Sequence, residues 1–300
     1  MILRPLQLRR SWLFVGAVNK NDINASYKSE ADVCILDLED FCVPKDRDLG
    51  RKNIPKILEK WKKASKVTAV RINPLETNDG LKDLDAALSK NLDIILLPKV
   101  NKKKQIKIFL KKKKAFEKKK KINNNIIEFI PNIETAEGLE NIKDIINFNQ
   151  VAGALIASED MAASLGLIES KNNDMLNFVR KKFHLACKAY KKYSIDMPYT
   201  WNNKRELNNE LKYIKSLGII AKSSIKADHC KIINKMLCPT RLEANQAKNI
   251  IKKFKIAEAT GKRQVFYKNH YLELPAYNSA LKTLNRYKEF IEYNKLIENN

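Results

Sequence analysis

The sequence predicts an α/β fold, a (β/α)8 TIM barrel followed by a helical C-terminal extension. Short apolar runs alternate with longer segments of helical periodicity, and charged residues stand at the downstream ends of several runs. Such alternation is typical of repeated βα units around a parallel sheet. Eight runs match the strand number of a closed barrel. The predicted strands lie at 11–16, 33–38, 67–73, 94–99, 126–133, 151–158, 196–201 and 223–227.

The last two predicted strands are the least regular. Pro198 lies within the seventh, and the eighth contains Lys226 and directly follows Lys222. After residue 228 the pattern changes to helices at 240–260 and 275–297, without an obvious strand between them. We therefore expect a catalytic barrel at 1–238 and a helical extension or lid at 239–300. The clearest helical patterns within the barrel lie at 53–63, 80–90, 102–120, 136–147, 174–193 and 204–217.

The net charge of +24 invites comparison with nucleic-acid-binding proteins, but its distribution does not support that class. Twelve lysines fall between Lys102 and Lys121, on a segment that also carries an apolar stripe. This is the pattern of a helix with a solvated outer face and a buried inner face. Lysine also exceeds arginine along the whole chain, so the charge reflects general composition. We expect no nucleic-acid partner.

The five cysteines form no CxxC pair and their number is odd, which indicates reduced thiols. No apolar run approaches the length of a membrane span, so we expect no membrane partner. The first ten residues lack the apolar core and cleavage site of a signal peptide. These observations predict a cytoplasmic protein.

Two carboxylates at strand ends, Glu134 and Asp160, are the candidate metal ligands. The carboxyl ends of parallel barrel strands open on one face, where the active sites of such barrels lie. Mg²⁺ prefers oxygen ligands and keeps several waters, so two carboxylates leave room for an α-hydroxy or α-keto acid to chelate. Alternatively, either carboxylate caps the helix that follows it.

Arg71 ends the third predicted strand, and Pro74 closes the run. An arginine there can bind a substrate carboxylate or stabilise an oxyanion, so we predict a catalytic and substrate-binding role. The alternative is a buried ion pair with Asp37 or Asp40 that only orients the site.

Asp37, Glu39 and Asp40 are too many acids in one turn for all of them to be metal ligands. We expect them, with Lys99, to support the ligands and Arg71 by hydrogen bonds. A lysine at a barrel strand end can also form a Schiff base, but a structural salt bridge is the favoured role for Lys99. The three histidines have no ligand spacing, and both common phosphate-binding glycine motifs are missing from the sequence.

At these residues the chain resembles the HpcH/HpaI aldolase and citrate lyase β-subunit family, especially its acyl-CoA lyase branch. Residues 10–15 resemble the family's RSxLFVPG strand, and 37–51 resemble its DLEDxVxPxxKxxAR segment. The resemblance spans roughly 10–285. Further matching motifs follow in the same order at 70–74, 97–100, 133–136, 158–160 and 199–200.

The resemblance implies a (β/α)8 barrel, Mg²⁺ as cofactor and a reaction that breaks or forms a carbon–carbon bond. It assigns metal binding to Glu134 and Asp160 and substrate binding to Arg71. We expect Glu134 to bind the substrate as well. The family's C-terminal VDxP motif carries an acid that reaches a neighbouring subunit's site. Glu273 in Leu-Glu-Leu-Pro matches it, which implies a homo-oligomer, a trimer or hexamer.

The expected function is cleavage or formation of a hydroxyacyl-CoA such as malyl-CoA or citramalyl-CoA, with an acyl-CoA and a small α-keto acid as the other partners. The chain departs from the family at Gly16-Ala17, where the family has Pro-Gly, and at Lys226-Ala227, where it has His-Pro. Two alternatives therefore stay open. One is a CoA-independent hydroxy-keto-acid aldolase, and the other is a non-catalytic barrel that binds a CoA ester.

Overall fold

A computed structural model of the chain describes residues 3–121, 127–168, 173–261 and 264–298. The chain divides into two compact units, residues 1–235 and 236–300. The first unit contains eight parallel strands with helices between them. The second contains two long helices and a short hairpin. The predicted fold class is therefore confirmed.

The eight strands of the first unit follow one another around the barrel in chain order. The eighth strand pairs in parallel with the first, and a single bridge between Asp196 and Lys222 joins the seventh to the eighth. The barrel is thus nearly closed. The strands are β1 (Ser11–Gly16), β2 (Val33–Asp37), β3 (Val67–Arg71), β4 (Ile94–Leu97), β5 (Glu128–Ile133), β6 (Gly153–Ile156), β7 (Tyr193–Ile195) and β8 (Lys222–Ser224).

Many helices of the first unit begin at a threonine or asparagine whose side-chain oxygen accepts a backbone N–H of the first turn. Thr77 accepts from Gly80, and Asn203 accepts from Glu206. The helices are α1 (Lys20–Lys28), α2 (Arg47–Lys63), α3 (Asn78–Ala87), α4 (Lys103–Lys119), α5 (Ala136–Glu140), α6 (Ile142–Ile146), α7 (Glu159–Ser164), α8 (Asp174–Ala189), α9 (Lys204–Ser216) and α10 (Ala227–Leu237).

The core has two layers, because successive side chains of a strand point to opposite faces. On β1, Trp12 and Phe14 belong to a cluster formed mainly by strand residues, which fills the barrel interior. Leu13 and Val15 belong to a larger cluster that includes α2 residues such as Ile54, and this cluster lies between strands and helices. Strands buried on both faces explain why the sequence shows continuous apolar runs.

The predicted seventh strand at 196–201 is wrong, since β7 ends at Ile195. Pro198 has no N–H to donate, and Asp196 makes only the isolated bridge to β8. The eighth strand is also shorter than predicted and ends at Ser224. The predicted fifth strand started at Ile126, which lies outside the described residues; β5 begins at Glu128.

The C-terminal unit contains α11 (Arg241–Ala259) and α12 (Leu274–Glu298), which pack through small and aliphatic side chains such as Ala244 and Leu284. A hairpin of β9 (Val265–Tyr267) and β10 (His270–Leu272) lies between them in the chain. The expectation of no strand there was wrong. The two linking residues, Lys268 and Asn269, both have positive φ, 48° and 63°, as a two-residue hairpin turn requires. Glycine is absent from this turn, so the sequence signal was weak.

Among the described residues, none of the helices combines the length and apolar character that a bilayer span requires. All five cysteines are free thiols, as expected, and four of them are buried.

Candidate active site

The carboxyl ends of the strands surround a cavity of about 500 Å³, and four of the predicted site residues line it. They come from the loop after β2, the end of β3, the end of β5 and the start of α7. The four are Asp40, Arg71, Glu134 and Asp160. The other lining residues are Phe14, Phe41, Asn132, Leu155, Ala157, Ser158, Glu159, Ala163, Pro198, Thr200 and Ile225.

Arg71 is the centre of this site, and its ion pairs together with those of Lys99 define a group that we call the Arg71 cluster. The buried Asp37 carboxylate holds one edge of the guanidinium, accepting from Nε at 2.7 Å and from Nη2 at 2.5 Å. The ring of Phe14 lies 4.9 Å from the guanidinium carbon. The cluster consists of Arg71, Lys99, Asp37, Glu39, Asp40, Glu134 and Asp160.

Asp37 also fixes the loop that follows β2. Its carboxylate oxygens accept the backbone N–H groups of Glu39 at 3.0 Å and Phe41 at 3.1 Å. The loop in turn places two more carboxylates beside Arg71, with Glu39 Oε2 2.8 Å from Nη1 and Asp40 Oδ2 3.0 Å from Nη2. The ion pairs with Asp37 and Asp40 that the sequence left open are therefore present.

Glu134 is fully buried at the end of β5. It accepts from Asn132 Nδ2 at 3.0 Å and from the backbone N–H of Lys99 at 3.1 Å, and Arg71 Nη1 lies 3.8 Å away. Burial raises the pKa of Glu134 to about 7; Arg71 opposes this shift, whereas the charges of Glu39 and Asp160 add to it. Glu134 does not cap the next helix, because Thr135 does so by accepting from Gly138.

Asp160 lies in the first turn of α7, and 39% of its side chain is exposed. Its Oδ1 is 3.7 Å from Lys99 Nζ, which donates to Glu39 Oε1 at 2.9 Å. Burial would lower the pKa of Lys99, but the hydrogen bond to Glu39 and the charges of Glu39 and Asp160 raise it above its usual value. A protonated lysine is a poor nucleophile, so the ion pair is favoured over Schiff-base chemistry.

The buried Oδ1 of Asn132 has no hydrogen-bond partner among the described residues. Buried polar atoms are normally paired, so this acceptor indicates room for a donor or a cation. The sequence analysis did not identify Asn132 as a site residue. A polar residue inside a run that is buried on both faces was the available signal.

The donor set of the site fits a divalent cation such as Mg²⁺. Arg71 and Lys99 bring two positive charges to five carboxyl groups. Carboxylate oxygens are the ligands that Mg²⁺ prefers. No group of three or more acidic, histidine or cysteine side chains forms a ready metal cage in the part of the chain that the structure describes. A site with few carboxylates, completed by water and substrate oxygens, matches this arrangement.

Glu273, the remaining predicted catalytic residue, belongs to the C-terminal unit. It is exposed between β10 and α12, and its Oε1 accepts from Gln264 Nε2 at 3.1 Å.

A parallel eight-stranded barrel with an acidic, arginine-containing cavity at the carboxyl ends of its strands has the architecture of a TIM-barrel enzyme, whose active site lies at that face. The chain belongs to the HpcH/HpaI aldolase/citrate lyase family, whose model matches residues 10–227. Family membership confirms both the resemblance and the expected class, a carbon–carbon lyase.

The chain is similar to curated relatives over nearly their whole length. It is 26% identical over 288 residues to the citrate lyase subunit beta of Haemophilus influenzae, covering 95% of this chain and 99% of the relative. It is 24% identical over 284 residues to the mitochondrial citramalyl-CoA lyase of Mus musculus, covering 91% and 84%. An L-malyl-CoA/beta-methylmalyl-CoA lyase of Rhodobacter capsulatus is 24% identical over 302 residues, with 92% and 93% covered.

Solved structures share the fold. CitE of Mycobacterium tuberculosis, in complex with magnesium, acetoacetate and coenzyme A, has a TM-score of 0.74 at 22% identity, covering 94% of this chain and all of that one. RipC of Yersinia pestis has a TM-score of 0.65 at 25% identity, covering 80% and 99%.

Proposed function

We propose that this protein is a Mg²⁺-dependent lyase that cleaves or forms a hydroxyacyl-CoA such as malyl-CoA or citramalyl-CoA. The observation that best supports this proposal is the excess of carboxylates around Arg71 in a barrel of this family. Glu134 and Asp160 hold the ion in this proposal. When bound, Mg²⁺ supplies a Lewis acid for the hydroxyl and carboxylate oxygens of the substrate.

The residues of the chain then have separate tasks in cleavage. Asp37 keeps the Arg71 guanidinium in one orientation by its two parallel hydrogen bonds. As the carbon–carbon bond breaks, its electron pair moves to the thioester α-carbon, and the hydroxyl gives its proton to a carboxylate, the role proposed for Glu273, which leaves an α-keto acid. Arg71 stabilises the negative charge on the thioester oxygen, and the α-carbon then takes the proton from the same carboxyl group to give the acyl-CoA.

The size of the adjoining cleft favours a CoA thioester over a free hydroxy-keto acid. A cleft of about 1140 Å³ shares Ser158, Glu159, Ala163, Pro198 and Thr200 with the cavity lining. Such a volume exceeds what a four- or five-carbon acid needs and can accept an extended chain.

Activity on a small panel tests the proposal. The purified chain is mixed with Mg²⁺ and malyl-CoA, citramalyl-CoA or the corresponding free hydroxy-keto acids, and keto acid and acyl-CoA are quantified. We expect cleavage of a CoA ester that is abolished in Glu134→Gln and Asp160→Asn. Cleavage of free acids alone would instead identify the CoA-independent aldolase, and CoA-ester binding without turnover would identify a non-catalytic barrel.

Glu273 is proposed to move the proton at a neighbouring subunit's site, which requires a homo-oligomer; a trimer or hexamer is expected. Its carboxylate is exposed and accepts a hydrogen bond from the Gln264 side chain of its own unit at 3.1 Å. We expect Glu273→Gln to retain Mg²⁺ and CoA binding but lose most turnover. Mixing it with Asp160→Asn subunits should restore part of the activity, because some mixed interfaces then contain one intact site. A monomer in solution, or no rescue despite subunit exchange, would contradict the shared site.

A further inference from the structure

Lys99 has an unusual backbone conformation for its residue type. It follows β4 with φ of 51°, in the left-handed region that residues with a β-carbon seldom adopt. Hydrogen bonds hold the backbone in place: the N–H of Lys99 donates to Glu134 Oε2 at 3.1 Å, and the N–H of Val100 donates to the carbonyl of Asn132 at 3.1 Å. Strained residues of this kind persist where the surroundings fix them, commonly at functional sites.

The side chain of Lys99 returns over the same carboxylates. Its Nζ donates to Glu39 Oε1 at 2.9 Å and lies 3.7 Å from Asp160 Oδ1. The backbone of this one residue therefore touches one proposed metal ligand, and its ammonium group lies beside the other. The side chain is 40% exposed, so it has space to move without disturbing the core.

We propose that Lys99 is a tethered cation that offsets part of the carboxylate charge of the Arg71 cluster in the metal-free protein and competes with the divalent ion for Asp160. The inference rests on the metal site proposed above. When the ion enters, the ammonium group withdraws from Asp160 and keeps its hydrogen bond to Glu39. Lys99 is thus a positioning residue that limits metal affinity, and its backbone N–H orients Glu134 whatever the side chain is.

Two arguments favour competition over a purely structural ion pair. The carboxylates exceed the cations in the cluster even with Lys99 included, so negative charge is left that an entering ion can offset. Asp160 is also the more exposed of the two proposed ligands, and its contact with Lys99 is longer than a hydrogen bond. A weak, exposed contact is one that an entering ion can replace.

Calorimetric titration of the metal-free full chain with Mg²⁺ at pH 8 tests this role. We expect Lys99→Met to bind Mg²⁺ about tenfold more tightly than the unmodified chain, since a lysine charge and a divalent ion a few ångströms apart repel by this much even at the dielectric constant of water. Lys99→Arg keeps the charge and is expected to bind like the unmodified chain. Glu134→Gln serves as the control that loses the metal.

A second measurement does not depend on the titration. In chelator, Lys99→Met should melt at a lower temperature than the unmodified chain, and saturating Mg²⁺ should raise its melting temperature by a larger amount. If Lys99→Met does not fold, Lys99→Gln also removes the charge but keeps a donor for Glu39, and the same outcome is expected. Equal or weaker Mg²⁺ affinity in the neutral variant, with binding lost in Glu134→Gln, overturns the competition but leaves the metal site intact. Absence of Mg²⁺ binding in every protein overturns both.

Discussion

Two ionic clusters of the barrel, each with buried members, differ in their charge balance. The Arg71 cluster sets two cations against five carboxyl groups at the mouth of the barrel strands. A second group, which we call the Asp196 cluster, consists of Arg180, Asp196, Glu210 and Lys222, two cations and two carboxylates. The Asp196 carboxylate accepts hydrogen bonds from Arg180 Nε at 2.6 Å and from Lys222 Nζ at 2.8 Å.

The two clusters give opposite shifts to a buried acid. Burial alone would raise the pKa of Asp196, but direct contact with two cations lowers it. Glu134 is equally buried, yet its nearest guanidinium nitrogen is 3.8 Å away and other carboxylates lie near, so its pKa is raised to about 7. The balanced cluster completes the barrel where β7 meets β8. The Arg71 cluster keeps an excess of carboxylates, which is the basis of the metal site proposed for it.

The largest effect, a loss of stability, is expected when the Asp196 cluster is disrupted. Lys222 is fully buried and also donates to the carbonyl of Met197 at 2.5 Å. Lys222→Met leaves Asp196 short of a partner and should lower the free energy of unfolding by about 3–5 kcal/mol. Lys99→Met, in the half-exposed pair of the unbalanced cluster, should cost less than about 1 kcal/mol without metal. Urea unfolding measures the free energy of unfolding of both variants. Similar losses in the two would contradict the proposed difference between the Asp196 cluster and the Arg71 cluster.

The next effect concerns activity. Arg71→Lys keeps the charge but loses the planar group that Asp37 holds with two hydrogen bonds. We expect kcat/KM for the active CoA ester to fall by the equivalent of about 2–4 kcal/mol, mainly in kcat, with Mg²⁺ binding retained. A fall in melting temperature with turnover largely kept would show that Arg71 serves only the fold.

The smallest effect is a pH dependence in chelator. The pKa of Glu134 is raised in the folded state. Its stabilising contribution to the free energy of unfolding is therefore fully present below about pH 4.5 and is lost as pH rises through about 7. Between pH 5 and 7 this amounts to about 2 kcal/mol of unfolding free energy. The pKa values of His184 and His229 are lowered, so their contribution to stability increases with pH instead. The test is therefore the difference in free energy of unfolding between the unmodified chain and Glu134→Gln, measured at each pH. An unchanged difference across this range would refute the raised pKa.

The sequence was sufficient to predict the barrel and the positions of the acidic and arginine site residues. Strands buried on both faces leave continuous apolar runs, and residues such as Glu134 follow them at recognisable points. The Asp196 cluster was not predictable, because the partners of Lys222 lie 12 and 26 residues away in the chain. Without them, a lysine in a predicted strand counted against that strand. Asn132 was missed for another reason: a polar residue within an apolar run was the only signal, and its contact with the Glu134 carboxylate is seen only in the structure.

Direct measurement of Mg²⁺ binding tests the central claim, that the charge excess of the Arg71 cluster is a divalent-cation site. The metal-free chain is titrated with Mg²⁺ beside Glu134→Gln and Asp160→Asn, each checked for native unfolding behaviour. We expect one ion per chain and loss of binding in both variants, since each removes a ligand charge without removing a core contact. An unmodified chain that binds no Mg²⁺, or a Glu134→Gln chain that binds it as tightly, would contradict the account.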